Sequence, residues 1–98
     1  MVVTLTGDAS VELKKVLKAK NSDKSLRIYI AGYGWGGPTF GIALDEQKEG
    51  DSMTVVDDLT FLMESELEEM FNAFTVDYSD NWLRKGFSVI PDGFTSTC

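Results

Sequence analysis

Apolar residues recur along this chain in two rhythms, one helical and one extended. Leu5-Thr6-Gly7-Asp8 reads as a strand end running into a helix start. Ala9, Leu13, Val16 and Leu17 then fall at i, i+4, i+7 and i+8, one face of a helix ending near Lys20. Thr6 or Asp8 is placed to cap it, and Asp8 and Glu12 suit the positive end of its dipole. Lys14, Lys15 and Lys18 lie off the stripe and are expected to form a solvated face. Asn21-Ser22-Asp23 breaks the helix. Over residues 25–31 the period changes to two. Leu26, Ile28 and Ile30 lie on one side and Arg27, Tyr29 and Ala31 on the other, as in a half-buried strand. A glycine-rich segment covers residues 32–38, after which Phe40, Ile42 and Leu44 predict a returning strand.

The acidic stretch 45–51, which contains Gly50, predicts a surface turn. Residues 53–56 and 59–63 predict a hairpin around Asp57-Asp58. Ser65-x-x-Glu68 has the capping-box pattern and opens a short helix whose apolar positions are Leu67, Met70 and Phe71. Phe74, Val76 and Tyr78 make another alternating strand. Residues 86–90 make the last, with Phe87 and Val89 inward. Pro91-Asp92-Gly93 turns the chain into its tail. The resulting order, β-α-β-β-β-β-α-β-β, has too few helices for a parallel βαβ sheet. Its short connections favour an α+β domain with mainly antiparallel pairing. Residues 1–98 read as one domain, with 91–98 a flexible tail. A chain of 98 residues buries roughly two-thirds of its surface on folding, enough for one core.

Charge and composition narrow the chemistry. The formal charge is −7, from 9 basic and 16 acidic residues. The basic residues are scattered, with no stripe longer than Lys14-Lys15, so no nucleic-acid partner is expected. No apolar run approaches the roughly 20 residues of a membrane span, and no export signal precedes the first strand. Without histidine, Ser-His-Asp and Cys-His catalysis and imidazole zinc sites are excluded, and no enzyme is expected. One cysteine forms no internal disulfide, which fits a cytoplasmic protein.

Gly32-x-Gly34-x-x-Gly37 matches the dinucleotide-binding string, but a strand pattern follows where that chemistry needs a helix N-terminus. The bland reading is a tight connection that needs glycine. Tyr33 and Trp35 within it read first as core plugs, and second as cover for a site or a partner surface. Asp45, Glu46, Glu49, Asp51, Asp57, Asp58, Glu64, Glu66, Glu68 and Glu69 show no EF-hand spacing, so a solvated acidic face is expected. Cys98 is the one soft metal ligand and the one strong nucleophile.

Read in order, Leu26-Arg27-Ile28-Tyr29, the glycine segment from Gly32 to Gly41, Ala43-Leu44-Asp45, Val76-Asp77-Tyr78, Gly86-Phe87 and Ser96-Thr97-Cys98 resemble the A-type iron–sulfur carriers, the HesB/IscA-like family. The resemblance runs almost end to end. It implies a small mixed, mainly antiparallel β-sandwich with two helices. It also implies iron or a [2Fe–2S] or [4Fe–4S] cluster bound between subunits and passed to recipient apoproteins. That family uses one cysteine in the glycine segment and a Cys-Gly-Cys pair near the C-terminus. Here Trp35 holds the first position and cannot ligate, since an indole is a donor only. Cys98 matches the first cysteine of the pair, and the sequence ends before the second. Some HesB-like sequences carry selenocysteine, whose codon is one base from that of tryptophan, so Trp35 reads as a substituted or reassigned chalcogen position. The resemblance therefore implies a degenerate or selenoprotein-like member, forming a homodimer or higher homo-oligomer and working with iron–sulfur assembly proteins. Cys98 is its candidate ligand, in an incomplete set. The alternative is a metal-free binding module that keeps the fold and meets a partner through Tyr33, Gly34, Trp35, Gly36 and Gly37.

Overall fold

The computed structural model describes residues 1–20, 24–35, 37–80 and 85–92, with residue 85 described for its backbone alone. The predicted helix breaker at 21–23, and with it Gly36, Gly93 and Cys98, lie outside the described residues. The elements are β1 (Val2–Leu5), α1 (Gly7–Ala19), β2 (Ser25–Gly34), β3 (Gly37–Asp45), β4 (Asp51–Val56), β5 (Leu59–Glu64), α2 (Ser65–Glu68), β6 (Ala73–Asp80) and β7 (Lys85–Pro91). This is the order the periodicity predicts.

The strands form one sheet in the order β1-β6-β7-β3-β2-β5-β4. Pairing is antiparallel except at β1–β6 and β2–β5, so the sheet is mixed and mainly antiparallel. The terminal strands β1 and β4 also approach each other, which curls the sheet toward a barrel. A two-layer sandwich was expected; a single nearly closed sheet buries its inner face against itself instead. That inner face carries Ile28, Phe61, Met63, Phe74 and Val76, all essentially inaccessible to solvent. Phe40 joins them, with Phe71 and Phe74 packed edge-on at 5.1 and 5.0 Å. Each fully buried side chain of this size contributes about 1.5–3 kcal/mol relative to exposure. No described helix is long and apolar enough to cross a membrane.

Local chemistry fixes the ends of the elements. Thr6, rather than Asp8, caps α1: its hydroxyl accepts the Ala9 N–H at 3.2 Å and donates to Asp77 at 2.9 Å. Ala9 and Leu13 are buried, and the helix lies against β6. Between β4 and β5, Asp57 and Asp58 sit at φ 52° and 66°, the left-handed pair of a two-residue type I′ hairpin turn. Asp57 also accepts from the Ser10 hydroxyl and pairs with Lys14 at 3.2 Å, which pins the turn onto α1. Lys14 is thus anchored rather than merely solvated.

Three other expectations are corrected. The capping box is absent, because β5 continues to Glu64, which becomes the N-cap without a side-chain bond. Glu68 is occupied elsewhere, accepting from Ser52 at 2.8 Å and from the Met1 amino group. Phe87 is 37% exposed rather than inward, its ring tilted against Tyr78 at 4.8 Å near the far end of the β6–β7 ladder. Pro91, assigned to the tail, is still in β7 opposite Phe74, and Asp92 is held by Ala73 and Thr75.

Candidate functional site

The glycine-rich segment is not a loose loop but the tip of the β2–β3 hairpin. Gly34 pairs with Gly37 around the two residues 35 and 36, and Gly37 takes φ 112°, a conformation that side chains disfavour. The dinucleotide-binding string therefore has strand on both sides, as its context predicted. Between Ile30 and Gly32 the register shifts, so Ala31 is an extra residue in β2. Such a bulge reverses the in–out alternation beyond it.

The two aromatics lie past that bulge. Tyr33 is 79% exposed and Trp35 fully exposed, so neither is a core plug. Among the described residues no other strand reaches far enough to cover them: β7 contacts β3 at Val89–Phe40 and ends two residues later. Because β7 is antiparallel to β3, its end at Pro91 lies at the same end of the sheet as the hairpin tip. Asp92 fixes that exit point, donating its N–H to the Ala73 carbonyl at 2.8 Å and accepting from the Thr75 hydroxyl at 2.8 Å. Cys98 and Gly36 lie outside the described residues, so the structure brings together Tyr33, Gly34, Trp35 and Gly37 and describes nothing of the thiol. Among the described residues no three Asp, Glu or Cys side chains are grouped to hold a metal ion.

Arg27, on the side of β2 opposite Leu26, Ile28 and Ile30, is 8% exposed. Its Nε donates to Asp45 at 2.6 Å, and Nη1 and Nη2 donate to the two oxygens of Asp51 at 3.0 and 2.5 Å. Nη2 also reaches the Glu46 carbonyl at 3.3 Å. Hydrogen bonding from Arg27 holds both carboxyls below the ordinary aspartate range, and the pair raises the guanidinium further above its own. Asp51, with its side chain 4% exposed, is therefore a structural ligand of Arg27 and not part of a solvated acidic face. Asp57 is likewise held low, first by the Ser10 hydroxyl and then by Lys14. The signal for the clamp was in the alternation. Arg27, Asp45 and Asp51 share outward parity, and Ser25 facing Asp45 makes Arg27 and Asp45 diagonal neighbours.

No protein-family model matches the chain. It is 32% identical over 96 residues to the iron–sulfur cluster insertion protein ErpA of Wigglesworthia glossinidia brevipalpis, spanning 96% of this chain and 84% of that protein. A putative iron–sulfur cluster insertion protein, ErpA 2 of Burkholderia vietnamiensis, is 30% identical over 95 residues, spanning 95% and 77%. Among solved structures, IscA with the [2Fe–2S] cluster superposes with a TM-score of 0.78 at 25% identity, covering 99% of this chain and 91% of that one. Escherichia coli SufA, involved in biosynthesis of iron–sulfur clusters, gives 0.77 at 17% identity over 99% and 86%, a likeness of fold.

Proposed function

The chain belongs to the A-type iron–sulfur carriers, the HesB/IscA-like family, and from that premise we propose that it handles iron or an iron–sulfur cluster as cargo between assembly proteins and recipient apoproteins. The family is one of carriers and insertion proteins, not enzymes. One observation carries the reading to this chain's own residues: β7 ends beside the hairpin tip that holds Trp35. From Asp92, six further residues span at most about 20 Å, so a thiolate at Cys98 is within covalent reach of that tip.

Within residues 1–98 the one thiolate donor is Cys98. Clusters are commonly held by four thiolates, and two copies of these residues supply two. Trp35 offers no lone pair. Cargo is therefore held at a subunit interface by Cys98 from each of two chains, with carboxylate, water or glutathione completing the shell. The thiol suits a reducing cytoplasm.

Anaerobic incubation of the full chain with ferrous iron and sulfide tests this. A thiolate-to-iron absorption band and retained iron are expected, and both are expected to disappear in Cys98→Ser. No band, or a band indifferent to that substitution, overturns the assignment. A second reading is favoured by the full exposure of Trp35: a metal-free module that meets an assembly protein through its aromatic tip. It requires that Trp35→Ala abolish partner binding in a chain that retains no iron.

A further inference from the structure

Between α2 and β2 lies a cavity of about 370 Å³ lined by Tyr29, Ile30, Leu67 and Met70, with Glu64 and Glu66 beside them. We propose that this groove docks a partner-protein segment presenting an apolar side chain flanked by lysine or arginine. Its volume is within the range of ligand sites, roughly 300–1,000 Å³. Met70 is 67% exposed and is an adaptable, polarizable contact for an aliphatic or aromatic side chain. The Tyr29 ring, which lies close over Gly41 and is 39% exposed, offers a face to a cation.

Charge decides the occupant. Glu64 and Glu66 are exposed, and neither forms an ion pair among the described residues. Arg27 also lines the groove, but Asp45 and Asp51 already neutralise its guanidinium. Lys48 borders the adjoining depression, which shares Glu64 and Glu66, and its ammonium is 3.8 Å from Asp45. From residue 49 to residue 83 the sequence has ten acidic residues and no basic one. An acidic segment would meet repulsion there, and a neutral one would leave both carboxylates without a counter-charge. A basic, apolar segment satisfies the groove and its rim together.

That the occupant is another protein rests on the carrier reading, since a carrier must meet its donors and recipients. The groove uses different residues from Trp35 and Cys98, and its test uses no iron, so either can fail alone. The full chain, labelled with ¹⁵N, is titrated with a short amidated peptide alternating leucine and lysine. Two controls replace lysine by glutamate and leucine by glycine. Shifts confined to residues 28–30 and 64–70 are expected for the first peptide alone. Glu64→Gln combined with Glu66→Gln, both at exposed positions, is expected to weaken binding about fivefold and to flatten its salt dependence. Met70→Ala is expected to weaken binding without changing that dependence. Equal binding of the glutamate or glycine control, shifts spread elsewhere, or an unaffected double variant overturns the proposal. So does a loss of self-association in Met70→Ala, read by sedimentation, since that puts a second copy of this chain on the groove.

Discussion

Arg27→Met is the substitution that most directly tests how the outer face of the sheet is held. It keeps an unbranched apolar stem and removes the guanidinium. Asp45, 31% exposed, can turn its carboxylate to water. Asp51 cannot do so as readily: its side chain is 4% exposed and loses donors at 3.0 and 2.5 Å, keeping the Lys48 N–H at 2.7 Å. Breaking a buried pair by removing one partner costs about 3–5 kcal/mol, and the surviving backbone donor argues for the low end, about 3 kcal/mol. For a domain of this size about 3 kcal/mol lowers the melting temperature by about 15 °C. Adding Asp51→Asn removes the stranded charge and is expected to restore most of the loss, because a neutral pair can replace a buried ion pair at little cost. Urea unfolding followed by far-ultraviolet circular dichroism at pH 7 measures both. A loss under about 1 kcal/mol, or a double variant no more stable than the single one, refutes the account.

The same clamp sets the acid limb of stability. Arg27 hydrogen-bonds the charged forms of Asp45 and Asp51 and holds them below the ordinary aspartate value of 3.8. Their folded values are thus lower than their unfolded ones, so the unfolded chain binds more protons as the medium becomes acid. The contribution is present above about pH 4 and is lost as pH falls through the lower, folded values. Arg27→Met removes the cause. Its stability is expected to fall less steeply than that of the parent between about pH 5 and pH 2.

Trp35→Cys restores a thiol at the hairpin tip. As Trp35 is fully exposed, unfolding free energy should stay within about 0.5 kcal/mol, while iron retained after anaerobic reconstitution rises in a Cys98-dependent way; no rise counts against a cargo site there. Phe74→Ala empties a site that is completely buried and edge-on to Phe40, and should cost about 3–5 kcal/mol in urea unfolding, with less than about 1 kcal/mol showing that the core collapses freely. Asp58→Gly relieves a left-handed residue at φ 66°, and is expected to stabilise by under about 1 kcal/mol, a drop in melting temperature being the contrary result.

The strands and helices were legible because their apolar residues keep strict periods of two or 3.6, and because short turns such as Asp57-Asp58 admit few geometries. What escaped the sequence was whatever depends on register or on a neighbour far along the chain. The bulge at Ala31 interrupts no visible pattern, since the glycines after it carry no side chain to reveal a face. By register it sets Tyr33 opposite Pro38, on the parity of Phe40, and Tyr33 and Trp35 are exposed because the hairpin tip lies past the Val89–Phe40 contact of β7 with β3. Alternation assigned Arg27 a face but not its degree of cover; its partners Asp45 and Asp51 lie 18 and 24 residues away. Glu68 fits a capping box on local spacing, yet Ser52 and the Met1 amino group take its carboxylate. Tertiary partners outcompete a local hydrogen bond when they bring charge as well as a donor.

The residues that hold this fold and the hairpin tip at which cargo is proposed to sit are separate sets. Stability resides in Ile28, Phe61, Met63, Phe74 and Val76 within the curled sheet, and in the Arg27 clamp outside it. Trp35 is fully exposed, just beyond the Gly34–Gly37 pair that closes the hairpin ladder. A side chain there contributes little to folding, so it can be exchanged while the scaffold persists. Between Arg27 and Asp45 the chain has no charged residue, so two hairpin tips can approach without the repulsion that a −7 protein otherwise meets. The tip is thus a neutral segment on an acidic chain and is indifferent, in folding terms, to which side chain stands at position 35.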